Sequence, residues 1–320
     1  MPENPNLLPI ASEAVTYLGL GGHEVIKVLE RAVRAPAVDE VRIKVKAAGV
    51  NPTDILSRTP GYGKPNEHFV PGMDASGVIE SVGSGVSRLH AGQAVMAAVL
   101  PRRPEGGGQA QYIVVPAASV VPIPEGASLI EAATLPMNGL TALGALDLAS
   151  LKAGETLAVS GGAGFLAHFT IAAAKRQGLK VIADAKPEET DLVRGYGADV
   201  VVVRGPGFAK AIRREVPEGV DALLDTALLG EKTFGAIRDG GVYIPVRGWT
   251  GGESDRGIEI KPVWVDTLLE RTDWLEILRE MVTASEIKLR VTGQYSPEEA
   301  ANAQRAVEAG GLRGRPVIIF

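Results

Sequence analysis

Residues 157–185 read LAVSGGAGFLAHFTIAAAKRQGLKVIADA: apolar, then glycine-rich, then helical, then apolar again, stopping at an acid. Thr156 to Ser160 predicts a short buried strand, and Gly162-x-Gly164-x-x-Ala167 opens a helix that should end near Gly178. Glycines allow the tight turn and let a diphosphate approach the backbone, while Ala167 lets helix and strand pack closely. The helix N-terminus offers free N–H groups and a positive dipole end to phosphate oxygens. Ser160, Gly161, Gly162, Ala163, Gly164, Phe165 and Leu166 are therefore the expected phosphate cradle. Asp184, 20 residues after Gly164, stands where an acid commonly takes the ribose hydroxyls. A glycine turn also serves packing alone. Here strand, turn, helix, strand and terminal acid occur in order, which favours a dinucleotide.

Other chemistry is excluded by composition. The 320 residues contain no cysteine, so disulfides, thiolate metal sites and a cysteine nucleophile are absent. The four histidines, His23, His68, His90 and His168, show no ligand spacing and read as surface or turn residues. Net charge is −5, from 33 basic and 38 acidic side chains, with no basic run of the kind a nucleic-acid surface shows. No apolar run reaches the roughly 20 residues that cross a bilayer, and the N-terminus lacks a signal peptide's charged start, so a cytoplasmic protein is expected.

The elements that must position the glycine turn follow from the rhythm of the chain. Residues 1–14 carry three prolines and read as a loose arm. Val41, Ile43 and Val45 alternate with Arg42, Lys44 and Lys46, the period of a strand with one wet face. Further short runs at 92–100 and 111–115 give this half an antiparallel, barrel-like character. Residues 128–150 are Ala- and Leu-rich and helical. Apolar runs at 156–160, 180–184, 200–203, 221–225 and 241–246 then alternate with helical segments at 188–194, 208–215 and 231–238, a parallel doubly wound sheet. A last amphipathic helix presents Leu275, Leu278 and Val282, and the chain closes on the strand-like RPVIIF.

With the stretches AAGVNPTDIL (47–56), VPGMDASGVIESVGSGVSRLHAGQAV (70–95), GGGQAQYIVVP (106–116), LPMNGLTALGAL (135–146) and GGLRGRPV (310–317), this order of parts resembles the medium-chain dehydrogenase/reductase superfamily. The similar branch is that of the zinc-independent, zeta-crystallin-like quinone oxidoreductases. The resemblance implies an α/β protein. A GroES-like β-barrel-type catalytic domain takes residues 1–126 and 266–320, and a Rossmann nucleotide-binding domain takes 127–265. In zinc members a cysteine stands at Asn51 and a histidine–glutamate pair at Met73 and Asp74, so no zinc is expected here. Without a Lewis acid, an unactivated alcohol is a poor substrate. A quinone, or an alkene conjugated to a carbonyl, needs less help to accept hydride from a reduced nicotinamide. A small electrophilic acceptor is thus expected, with the proton drawn from solvent. A nucleotide-binding protein with little catalysis and a biosynthetic enoyl reductase remain as alternatives.

The resemblance sets Asn51 beside the nicotinamide, although an Asn before Pro52 also reads as a turn residue. Asp54 would orient that loop, and Thr141 matches a position next to the cofactor, or else bonds its own helix. Many quinone reductases carry a tyrosine where this chain has Leu56, and Tyr62 is the nearest replacement. Val246, Arg247 and Gly248 follow the fifth strand of the parallel sheet, in a loop the family sets against nicotinamide; Trp249 either lines the acceptor pocket or covers core, while Trp264 and Trp274 read as packing. The cofactor signals conflict. Asp184 favours NADH, whereas Lys186 and Arg204 stand where a 2′-phosphate binds, or are solvated loop charges; Glu189, where some relatives use a lysine, weakens the phosphate case. NADPH is the family's expectation, with NADH possible. A homodimer, joined edge to edge near Gly257 to Lys261, is implied by resemblance alone.

Overall fold

The computed structural model describes residues 8–252, 254 and 256–320. In chain order the strands are β1 (Ile10–Leu18), β2 (Ile26–Val33), β3 (Glu40–Gly49), β4 (His68–Phe69), β5 (Asp74–Val82), β6 (Ala94–Ala98), β7 (Tyr112–Pro116) and β8 (Val120–Pro122). There follow β9 (Thr156–Ser160), β10 (Lys180–Ala185), β11 (Val200–Val203), β12 (Val220–Asp225), β13 (Ile237–Pro245), β14 (Glu259–Ile260), β15 (Val291–Tyr295) and β16 (Arg315–Ile319). The helices are α1 (Pro52–Leu56), α2 (Leu129–Ala132), α3 (Pro136–Ala149), α4 (Phe165–Arg176), α5 (Thr190–Gly195), α6 (Phe208–Glu215), α7 (Thr272–Thr283) and α8 (Ala300–Ala309).

Two compact units result. One holds the chain up to Met137 together with Leu269–Phe320; the other is Asn138–Leu268. The first unit contains a GroES-like arrangement: a small antiparallel sheet β2-β1-β4 and a larger one in the order β15-β16-β3-β5-β6-β8, with β7 also on β3. Among the described residues only β15 and β16 run parallel within it. Its core is the inner face of β3, where Val41, Ile43 and Val45 meet Ile79, Val95 and Ile113. The expected wet face of β3 is interrupted. Arg42 is fully buried, with Nε 2.6 Å from Glu80 Oε2 and Nη1 donating to the Leu8 carbonyl at 2.8 Å. Ile10 already begins β1, so the arm expected for residues 1–14 is strand from that point; residues 1–7 lie outside the described residues.

The second unit is the doubly wound sheet, all parallel, in the order β11-β10-β9-β12-β13-β14. The Ala- and Leu-rich segment 128–150 is two helices rather than one, because Pro136 cannot donate to a preceding turn. Ser128 caps α2 reciprocally with Glu131. As α2 packs on β3 and β5, it stays with the first of these compact units. Residues 230–236 form a 3-10 run, since Gly230 and Gly235 disfavour a regular α-helix. On α7 the buried side chains are Leu275, Leu278 and Met281; Val282 is half-buried. Among the described residues no helix is long and apolar enough to cross a membrane.

Candidate functional site

In the second unit β9 runs buried to Ser160, and the chain turns sharply into α4, whose N-cap is Gly164. Gly161 has φ +69°, a conformation costly for a residue with a Cβ. At Gly162 the constraint is space: an added Cβ would lie 2.6 Å from the Asp184 carbonyl oxygen and 2.7 Å from the Ala183 side chain. Ala163 and Phe165 are buried, Leu166 is half-buried, and α4 stops before Gly178 at φ +76°.

Asp184 does not stand free at the end of β10. Its Oδ1 accepts from Gly161 N at 2.5 Å and Gly162 N at 3.2 Å, and the residue is 2% exposed. Burial pushes its carboxyl above the ordinary value, opposed by those two N–H groups and by Arg204. Arg204 Nε lies 3.8 Å from Oδ2. The acid expected to take ribose also braces the turn through its Oδ1. Lys186 and Arg204 are both exposed beside it.

A second carboxylate, missed in the sequence, braces the other side. Fully buried Asp225 ends β12 and accepts from Ser160 Oγ at 2.5 Å, Tyr243 OH at 2.8 Å and Gly230 N at 2.8 Å. Burial, then Asp225, raises the Tyr243 phenol well above its usual range. The signal was present: an acid closes a parallel strand here as it does at Asp184. Val246, Arg247 and Gly248 follow β13, with Arg247 exposed. Trp249 sits 5.3 Å from Tyr243 and 5.7 Å from Phe234, in the packing of this sheet. Trp264 is 53% exposed and lays its ring edge against Gly248, whereas Trp274 lies under the Arg271 guanidinium at 3.9 Å. Thr141 is buried on α3.

In the first unit Asn51 caps α1, with Pro52 at the first helical position. It is 0% exposed and bonded within the protein: Arg315 Nε donates to Oδ1 at 2.8 Å, and Nδ2 donates to Asp74 Oδ2 at 2.6 Å. Asp54 accepts from Asn51 N at 2.8 Å, Gly72 N at 3.0 Å and Gln109 Nε2 at 3.1 Å. Asp74 also accepts from Met137 N at 2.6 Å. Burial pushes Asp54 up to about 7 and Asp74 up to about 6, against the pull of these donors and of Arg315. Burial lowers Arg315 to about 10, while the two acids support its charge.

Tyr62 is not in this cluster. It is 48% exposed and lines a cavity of about 520 Å³ with Arg31, Lys64, Phe69, Val70 and Arg102. Leu56 is half-buried on α1. His168, expected at the surface, is buried on α4 and stacks on Tyr196 at 4.2 Å. His23 instead pairs with Glu308. Among the described residues no three His, Cys, Asp or Glu side chains could share a metal ion. The donor set at Asn51, Met73 and Asp74 does not fit zinc either: the amide oxygen is taken by a guanidinium, leaving a thioether and one carboxylate.

Residues 37–125 match the alcohol dehydrogenase GroES-like domain family, and residues 196–318 match a family described as zinc-binding dehydrogenase. The chain is 32% identical to the chloroplastic NADPH-dependent alkenal/one oxidoreductase of Arabidopsis thaliana, over 97% of this chain and 80% of that one. It is 31% identical to the human quinone oxidoreductase, over 95% and 88%. The structure of the quinone oxidoreductase from Coxiella burnetii has the same fold, with a TM-score of 0.82 at 24% identity, covering 97% of this chain and all of that one.

Proposed function

We propose that this chain, which belongs to the medium-chain dehydrogenase/reductase superfamily in its quinone oxidoreductase and alkenal reductase branch, reduces quinones or carbonyl-conjugated alkenes at the expense of NADPH. The observation that carries the reading is the glycine turn before α4, braced by Asp184 on one side and Asp225 on the other. When bound, the nicotinamide supplies a hydride; the acceptor takes it at carbon or oxygen, and solvent supplies the proton.

The side chains then divide the work. Ser160 to Leu166 cradle the diphosphate, with the N-terminus of α4 facing its charge. Lys186 and Arg204 take the 2′-phosphate, and Arg204 also screens Asp184 from it. Val246 to Gly248 and Thr141 lie against the nicotinamide, with NADH the weaker alternative cofactor. Asn51 sets the floor of the acceptor site, Asp54 holds its loop, and Tyr62 lines the acceptor cavity. The exposed edge strand β14 pairs with its equivalent in a homodimer, which light scattering tests directly.

Calorimetry with NADPH and NADH comes first, followed by cofactor oxidation with a panel of quinones and enones. Turnover of either class is the expected result. Binding of neither nucleotide sinks the proposal; binding without turnover leaves a nucleotide-binding protein, a reading the buried, fully engaged Asn51 keeps in play. The paired substitutions Lys186→Ala and Arg204→Ala should weaken NADPH about tenfold or more and leave NADH unchanged.

A further inference from the structure

Two fully buried carboxylates meet at Asn51, and one cation enters their cluster. The backbone explains how it gets there. β16 runs antiparallel to β3 with Val317 opposite Gly49, so two residues beyond that pair Arg315 comes opposite Asn51. Val50 N donates to the Pro316 carbonyl at 3.0 Å and locks this register. The guanidinium then decides which way the Asn51 amide faces. With Arg315 Nε on Oδ1, the Nδ2 end is turned to Asp74. Asp54 is tied to the same residue through Asn51 N.

We propose that Arg315 is a resident cation that does in this unit what a bound metal ion would do: it orients the Asn51 side chain and compensates Asp54 and Asp74. Helix α1, from its N-cap Asn51 to Leu56, is thereby held in place with no metal ion. Without the guanidinium, two buried carboxylates and an amide oxygen remain grouped around Asn51. That is an oxygen donor set suited to a hard cation such as calcium, and a buried charge stripped of its partner is strongly destabilising. Arg315 is a positioning residue: it acts on the reaction through Asn51, a role in turnover that rests on the reductase reading above.

The test compares the full-length wild type with R315A, R315K and the double variant R315A/D74N. Melting temperature is read in chelator, in millimolar calcium chloride and in methylguanidinium. Wild type should melt alike in all three. R315A should melt about 10 °C lower, and both calcium and methylguanidinium should recover a large part of that loss. R315K keeps the charge but loses the planar fork. It should recover most of the melting temperature while kcat stays about tenfold down and the KM for NADPH is unchanged. Should R315A fail to fold, R315A/D74N, which removes one acid along with the cation, should fold. The idea is overturned if R315A melts like wild type. It is equally overturned if its loss is untouched by both added cations and by D74N, because that marks simple packing. The melting arm needs no turnover: a wild type that oxidises no NADPH strikes the reductase reading and leaves the role of Arg315 as a resident cation to be decided by melting alone.

Discussion

The Asn51 cluster of the first unit and the glycine turn of the second solve a similar problem with different means. Each must hold irregular backbone at the end of a buried strand, and each does so with aspartates accepting from main-chain N–H groups. At Asn51 the half-buried Arg315 guanidinium supplies a cation beside the two acids, and their donors include side-chain amides. At the glycine turn Asp184 has only Arg204 at 3.8 Å, in an exposed position, and Asp225 is met by hydroxyls and one N–H. The first site carries its compensating charge with it. The second leaves its nearest cations, Lys186 and Arg204, exposed to solvent.

The largest effect should come from crowding the turn. Gly162→Val puts side-chain carbon where only about 2.6 Å separates the Cβ from the Asp184 carbonyl. Calorimetry should show NADPH affinity down about a hundredfold or more; unchanged binding would mean that the diphosphate sits elsewhere. Asp184→Ala separates bracing from ribose recognition. As a brace, its loss leaves Gly161 N without that acceptor and Gly162 N with only the residue-184 carbonyl at 3.1 Å. The apo protein should then lose about 1–3 kcal/mol in denaturant unfolding. If the acid serves only ribose, apo stability will not move and NADH binding alone will suffer.

Between the units, pH offers a sharper contrast. Asp54 and Asp74 titrate at about 7 and about 6 in the folded chain, above the ordinary aspartate value of about 4. From about pH 4 to 7 the folded state therefore holds protons that the unfolded state has released, so these groups make stability fall as pH rises. Asp54→Asn should flatten that fall in a series of melting temperatures, and a series parallel to wild type would contradict the buried assignment. Ser160→Ala is expected to cost about 1–3 kcal/mol, since Asp225 loses one donor and keeps two. Tyr62→Phe is the smallest: melting should be unaffected and the acceptor KM should shift less than about threefold, because the side chain is half exposed at a cavity wall. A larger loss in kcat would make its phenol a proton donor.

Local pattern and motif are enough to read the alternating strands of both units, the glycine turn and the stop at Gly178. These depend on neighbours within a few residues, through apolar period and the backbone freedom of glycine. The same local logic fails where partners are remote. Arg42 reads as solvated until β5 brings Glu80 to it, and His168 reads as superficial until Tyr196 stacks on it. The bracing role of Asp184 is hidden in the same way, because nothing local shows its Oδ1 bonded to Gly161 and Gly162.

By itself the sequence determined the class of fold, the position of the glycine turn and the lack of thiolate for a metal, because composition and short-range period settle these. Only the tertiary structure decided what surrounds Asn51. Arg315 lies 264 residues further along the chain, and it reaches the amide solely because β16 pairs with β3 in one register. Side-chain charge is written in the sequence; which charges share a low-dielectric interior is settled by the long-range pairing of strands.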